Sequence, residues 1–356
     1  MWRSRACLEA SRSAPPLTSC LGFFRRWISS GSRVAALWGN GDYGRLGLGN
    51  LNSQWKPSIC PAFNGNGDGG LRAIACGGAH TLFLTEKGHV YATGLNDFGQ
   101  LGISSERSHV LEPLEVSGIP KEVIQISAGY RHSSVVTVDG ELYMWGNNSS
   151  GQLGLGRGAE KIVSTPRRLD CLDGFHIKMV SLGSEHSFAI TDEGDALSWG
   201  AGGSGRLGHG HQSGILGFLR SSRLQRLLWG CCIQHASANK DLFLHLVKEQ
   251  WVGCGTDAVH TPLKVEGSLL KFPVSEVSCG WKHTAAISGG NLFTWGWGGS
   301  HGTFSIDGHS SGGQLGHGND IDYFEPMMVN LGKEWKALQV SCGFNHTGAI
   351  FEYSEA

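Results

Sequence analysis

The sequence predicts an all-β fold, a β-propeller of repeated four-stranded blades, on three observations. A glycine-rich signature returns at one period along most of the chain. Each period carries short β-branched and aromatic runs joined by glycine turns. The composition combines 55 glycines with 12 tryptophans in 356 residues. A strand-rich unit of about 50 residues cannot bury both faces of its sheet alone, so radial stacking closes it better than a solenoid does.

Composition narrows the alternatives. The glycine share is about twice the usual one, yet only 10 prolines accompany it, which excludes collagen-like repeats and low-complexity linkers. With 40% hydrophobic residues the chain can build a core. Lys+Arg at 29 against Asp+Glu at 30 gives no global reason to grip nucleic acid. Ten cysteines without a C-x-x-C pair argue against a zinc ribbon, and no run of apolar residues is long enough for a membrane helix.

Residues 1–33 differ from the rest. They hold six arginines (Arg3, Arg5, Arg12, Arg25, Arg26, Arg33), no lysine, seven serines and one acid, Glu9, so they carry +5 and leave −6 on the remainder. An arginine- and serine-rich, acid-poor leader predicts a mitochondrial transit peptide, in preference to a plastid address or a plain basic arm. Cleavage is expected around Trp27 to Ser32, leaving a propeller over 34–353.

The repeat has three markers. G-[RQ]-L-G starts at Gly44, Gly99, Gly151, Gly205 and Gly313, with spacings of 55, 52, 54 and 108 residues, the last being two periods. A small residue, a glycine and two variable residues precede His80, His132, His186, His283 and His346. Aromatic runs precede the first marker at Trp38, Tyr91, Trp145, Trp199 and Trp295. Hairpins fit between them, with Gly88, Asp139-Gly140 and Glu193-Gly194 in the turns, and one further strand is expected before each histidine. From Trp38 to Ile350 about six periods fit. One is degenerate: the markers vanish between Gly210 and Gly255, and residues 214–250 read as a divergent blade or an insertion, or as an aberrant splice or gene-model product. Leu224, Leu227 and Leu228 there have helix-like spacing.

With five units that carry variants of the W-G-x-N, G-Q-L-G and C-G-x-x-H signature, the chain resembles the regulator of chromosome condensation (RCC1) repeat family, whose propeller has seven blades. The leader and the last unit's insert resemble in particular the plant mitochondrial members, which implies a part in processing or intron splicing of organellar transcripts and so in respiratory complex I biogenesis. Nucleotide exchange on a small GTPase is the founding activity of the family. The repeat signature carries none of that chemistry, so exchange is an alternative reading, as is a direct RNA-binding module. Light-sensing members cluster tryptophans in G-W-R-H-T segments, whereas here only Gly280–Thr284, G-W-K-H-T, approaches that form.

Other motifs have structural readings. G-N-G-D-Y-G at Gly39–Gly44 matches a dinucleotide fingerprint but lies where sister units carry turns, between hairpins rather than in a strand–helix unit. Leu46, Leu101, Leu153, Leu207 and Leu315 are expected to pack under that turn. The five histidines fall one to a blade and should hydrogen-bond a neighbouring turn rather than share a metal. Cys76, Cys279 and Cys342 read as buried thiols, and Cys231-Cys232 as a poor metal site. Asn148 and Asn345 begin N-x-S/T matches that an organellar route leaves unglycosylated. No catalytic constellation, metal or cofactor site is expected.

What remains is a non-catalytic binding scaffold. Its candidate partner-binding residues are His301, Phe304, Asp307 and His309 in the insert between Trp297 and Gly312, a place where a propeller loop carries recognition. Mitochondrial proteins, among them a ribonucleoprotein splicing complex, are the expected partners. RNA contact should be indirect or weak, because the sequence shows no Lys/Arg cluster with interspersed aromatics; the local basic group is Lys161, Arg167 and Arg168.

Overall fold

The computed structural model describes residues 32–63, 70–103, 105, 107–202, 207, 272–299 and 312–354. The leader before residue 32, the segment 214–250 and the four insert residues His301, Phe304, Asp307 and His309 lie outside the described residues.

Period-two runs interrupted by positive-φ glycines make antiparallel hairpins. After β1 (Arg33–Gly39) and β2 (Gln54–Ile59), one meander comprises β3 (Leu71–Cys76), β4 (His80–Thr85), β5 (Val90–Leu95) and β6 (His109–Glu115). The next comprises β7 (Val123–Ala128), β8 (His132–Thr137), β9 (Leu142–Asn147) and β10 (Ile162–Arg168). The sheet of β11 (Ile177–Leu182), β12 (His186–Thr191) and β13 (Ala196–Gly200) has three strands among the described residues. A further four-stranded blade holds β14 (Val274–Cys279), β15 (His283–Ser288), β16 (Asn291–Gly296) and β17 (Tyr323–Met328). The last strands, β18 (Trp335–Cys342) and β19 (His346–Tyr353), return to the start. β19 pairs with β1 from Arg33 opposite Glu352 to Gly39 opposite His346, giving a blade in the order β18-β19-β1-β2 that both ends of the chain build.

The described residues therefore form five blades, against seven in the family and the six periods counted in the sequence. The degenerate period accounts for the difference from six, because residues 208–271 are outside the described set.

The first strand of each blade is innermost: β3 touches β7 and β18, β7 touches β11, and β14 touches β18. Apolar side chains fill the spaces between blades. One cluster runs from Leu82 and Val90 through Trp145 to Trp199, a second joins Trp38 to Ile287 and Val340, and a third joins Leu37 and Leu46 to Ile74 and Phe83. Trp38, Trp145 and Trp199 have no exposed surface. Burial of such rings stabilises by several kcal/mol, about 3–5 for truncation to Ala. Trp295 is only partly buried.

Every innermost strand carries a register shift at the same place, at Leu71/Ala73, Val123/Gln125, Ile177/Met179, Val274/Glu276 and Ala337/Gln339. A bulge re-aims the side chain that follows it. Gln339 uses the new direction to bond the next blade's backbone, its Oε1 accepting from Ile74 N–H at 2.8 Å and its Nε2 donating to Ile74 C=O at 2.9 Å. Gln125 does the same to Val180, at 2.9 and 3.1 Å.

Candidate binding site at the propeller axis

The repeat signature is spent on the seams between blades. At four of the five histidines the neighbouring hydroxyl donates to a carbonyl of the preceding blade: Ser133 Oγ to Gln100 O at 2.7 Å, Ser187 Oγ to Gln152 O at 2.7 Å, Thr347 Oγ1 to Gln314 O at 2.8 Å and Thr81 Oγ1 to Arg45 O at 2.7 Å. Its single proton is thereby used, so the hydroxyl accepts from the imidazole Nε2–H of that preceding blade. Those contacts are His80 to Ser133 at 2.9 Å, His132 to Ser187 at 3.3 Å, His283 to Thr347 at 2.8 Å and His346 to Thr81 at 3.0 Å. Burial holds the rings neutral, pushing His80 and His132 down to about 3 and His283 to about 4, with His346 also far below its usual value. The partner is thus a hydroxyl on the adjoining blade's strand rather than the turn expected from the sequence.

The same carbonyls hold the tryptophans. Trp145 Nε1–H donates to Gln100 O at 2.9 Å, Trp199 to Gln152 O at 2.8 Å and Trp38 to Gln314 O at 2.9 Å. The second glycine of G-Q-L-G lies flat against the ring it serves. A Cβ on Gly154, whose φ is +71°, would stand 2.9 Å from Trp199 Nε1. In the β3–β6 blade Thr93 stands where Trp145 stands in the next, opposite the residue after the histidine, and its hydroxyl reaches Gly44 O at 3.0 Å. Leu46, Leu101, Leu153, Leu207 and Leu315 are buried under the turns. The Gly39–Gly44 segment joins antiparallel β1 to β2, so the fingerprint match is a repeat turn.

The turns before the histidines follow one another in an arc around the axis. Phe344 N–H donates to Gly77 O, Gly78 to Gly129 O, Tyr130 to Gly183 O and Trp281 to Gly343 O, at 3.1, 3.1, 3.1 and 3.3 Å. The residue after each signature glycine consequently points at the axis end. Gly78 leaves space there, since its Cβ would come within 2.6 Å of the Tyr130 ring. Tyr130 and Phe344, from non-adjacent blades, meet across it at 5.3 Å between ring centres. Trp281 stacks on Phe344 at 4.1 Å and 9°, and Trp297 meets Trp281 edge-on at 6.0 Å. Lys282 Nζ lies 4.2 Å from the Trp281 ring centre and 4.9 Å from that of Trp297, and the Arg131 guanidinium lies 4.6 Å from Phe98 and 5.1 Å from Tyr130. Tyr130 remains 36% exposed and Trp281 44%.

Beside this stack opens a cleft of about 230 Å³ lined by residues including Asn40, Asp42, Arg45, Tyr130, Arg131 and Asn345. Arg45 is 5% exposed. It donates from Nε to Asp42 O at 3.0 Å and from Nη1 to Gly78 O at 3.3 Å, and burial lowers its pKa to about 10. Asn345 is 8% exposed, and its side-chain oxygen has no hydrogen-bond partner among the described residues.

Along the linear chain no Lys/Arg cluster is interleaved with aromatics. The fold builds such a group from residues 45, 98, 130, 131, 281, 282, 297 and 344. The variable residue of G-x-x-H was the signal. In the expected basic group of Lys161, Arg167 and Arg168, both arginines are ion-paired: Arg168 with Glu141, Asp170 and Asp173, and Arg167 with Glu160. Cys76 and Cys342 are buried thiols, with Cys76 pushed up to about 12 by burial, whereas Cys279 is only partly buried.

A family model for the RCC1-like domain matches residues 28–238, and one for the RCC1 repeat matches 308–350. The chain belongs to the RCC1-like family. It is 33% identical to the ultraviolet-B receptor UVR8 of Arabidopsis thaliana over 330 residues, 90% of this chain and 71% of that protein. It is 32% identical to the probable E3 ubiquitin-protein ligase HERC4 of Homo sapiens, over 82% of this chain but only 32% of that much longer protein. Among solved structures, Prp20p of Saccharomyces cerevisiae superimposes with a TM-score of 0.69 at 19% identity, over 94% of this chain and 95% of that one. Human WBSCR16 follows with a TM-score of 0.56 at 19% identity, over 91% of this chain and all of that one. At those identities the structures show the shared RCC1-like fold.

Proposed function

We propose that this RCC1-like propeller is a non-catalytic scaffold in mitochondria that supports processing or splicing of organellar transcripts, and hence respiratory complex I biogenesis. One observation supports the scaffold reading above the others. The histidines, hydroxyls, glutamines and tryptophans that the repeat preserves are bonded to one another across the seams, which leaves recognition to the variable residues of the axial turns. The organellar part rests on the +5 leader and on the resemblance of the last unit to plant mitochondrial relatives.

Affinity capture from mitochondrial extract, with and without nuclease, tests both parts. Retention of protein partners after RNA is removed supports a protein-binding scaffold, and co-recovery of intron transcripts without nuclease supports the splicing role. Loss of every partner on nuclease treatment refutes the scaffold reading in favour of an RNA-binding module. Accelerated nucleotide release from a small GTPase by the purified chain would establish the exchange alternative. Import is tested by sequencing the N-terminus of the mitochondrial protein, which should begin between Trp27 and Val34; an intact Met1 in a cytosolic or nuclear pool would refute it.

A further inference from the structure

The axial cleft brings a buried cation and an orphaned amide oxygen together. Arg45 is almost wholly buried and lines the cleft, and its side chain donates to two carbonyls, from Nε to Asp42 O and from Nη1 to Gly78 O. The nearby Asp42 carboxylate takes its hydrogen bond from Asn40 Nδ2 at 3.1 Å and forms no ion pair with the guanidinium. Asn345 Oδ1, lining the same cleft, is a buried acceptor with no donor. A buried guanidinium facing a cavity is best satisfied by a planar anion that accepts from its fork. An orphaned amide oxygen calls for an N–H beside that anion.

The surroundings define what brings the anion. Arg45 and Arg131 line the cleft against Asp42, a local surplus of one positive charge, and Lys282 stands beyond them on the aromatic stack. Trp and Tyr rings backed by Arg form the anatomy of a protein-binding hot spot. A nucleic-acid track fits less well. Trp281 already stacks on Phe344 and carries Lys282 at 4.2 Å from its ring centre, and the chain beyond residue 33 carries −6.

We propose that the axial cleft takes a carboxylate side chain from an acidic peptide segment of a protein partner, with the carboxylate on Arg45, a neighbouring N–H of the segment on Asn345 Oδ1, and the Tyr130–Phe344–Trp281 stack bearing the flanking residues. This names the binding site of the scaffold and rests on that reading.

The test is fluorescence anisotropy of the full chain with three labelled probes: a short Gly–Glu peptide, its Gly–Gln counterpart and a short oligouridylate. The Glu peptide should bind with salt-sensitive affinity, and the Gln peptide about tenfold or more weaker, as expected for loss of a charge-assisted bond. Arg45→Met should weaken the Glu peptide by about tenfold and Asn345→Ala by less. Because Arg45 also holds Gly78 and Asp42, Arg131→Gln, a change at the cleft rim, carries the same test if Arg45→Met melts early; it should weaken binding a few-fold (about 1 kcal/mol). Absence of Glu-peptide binding, equal binding of the Gln peptide, or indifference to all three substitutions overturns the proposal. Tighter binding of the oligouridylate with the same dependence on Arg45 assigns the cleft to nucleic acid instead. Partners captured undiminished by Arg45→Met would remove the cleft and leave the scaffold standing.

Discussion

Glu276 occupies the position that Gln125 and Gln339 fill in other blades, the first residue after the bulge of an innermost strand. Each glutamine satisfies one N–H and one C=O of the next blade. Glu276 faces Val340 of the next blade, whose N–H bonds its carboxylate. An ionised carboxylate accepts from that N–H but has no hydrogen for the carbonyl, whereas a protonated one reproduces the amide. Burial accordingly pushes the group from 4.5 up to about 8. The native state then holds a proton that the unfolded chain releases above about pH 4.5. The associated stability is complete below that pH and is lost as pH rises towards 8, at no more than about 1.4 kcal/mol per unit. Partial exposure of the residue reduces the full span, and about 1–3 kcal/mol is expected at pH 7.5. Glu276→Gln should therefore be more stable than the parent by that amount at pH 7.5, with the difference shrinking towards zero at pH 5. Urea unfolding followed by tryptophan fluorescence across pH 5–8 measures it, and comparing the two proteins cancels the histidines. A constant offset at every pH, or a variant that is weaker at pH 8, would refute the reasoning.

Trp145→Ala should cost about 3–5 kcal/mol in the same assay through lost packing and the lost Gln100 bond. Gly154→Val should cost about 2–4 kcal/mol, because it adds a β-branched side chain at φ +71° against Trp199, whereas Gly156→Ala, with φ +88° and open space, should cost about 1 kcal/mol. Ser133→Ala removes the acceptor of His80 Nε2–H and one donor to Gln100 O, and should cost about 1–3 kcal/mol. The pKa values of His80 and His132 are depressed to about 3, so stability is present above pH 6.5 and falls as pH drops from there towards 3. Melting temperatures measured across that range should show His132→Gln, though weaker at pH 7, losing less on acidification than the parent.

The sequence by itself determined the blade. Hydrophobic alternation, hairpin glycines and a fixed period are local properties of one unit, and every unit repeats them, so strands before each histidine and leucines under each turn could be read without coordinates. It also showed that Gly39–Gly44 is a turn, because sister units carry turns at the same place. The seams lay beyond it. That Trp145 meets Gln100 and His80 meets Ser133 depends on which blade sits beside which, a relation set by long-range packing. So does the closing of one blade by β1 and β19, from opposite ends of the chain. The axial site was least legible: Tyr130, Trp281 and Phe344 sit in separate blades at a position the repeat leaves free to vary, and Arg45 reaches them from the G-[RQ]-L-G turn of the blade that also carries Phe344. Only the stacking of blades around an axis brings those positions to one point, since a propeller converts places in distant repeats into neighbours.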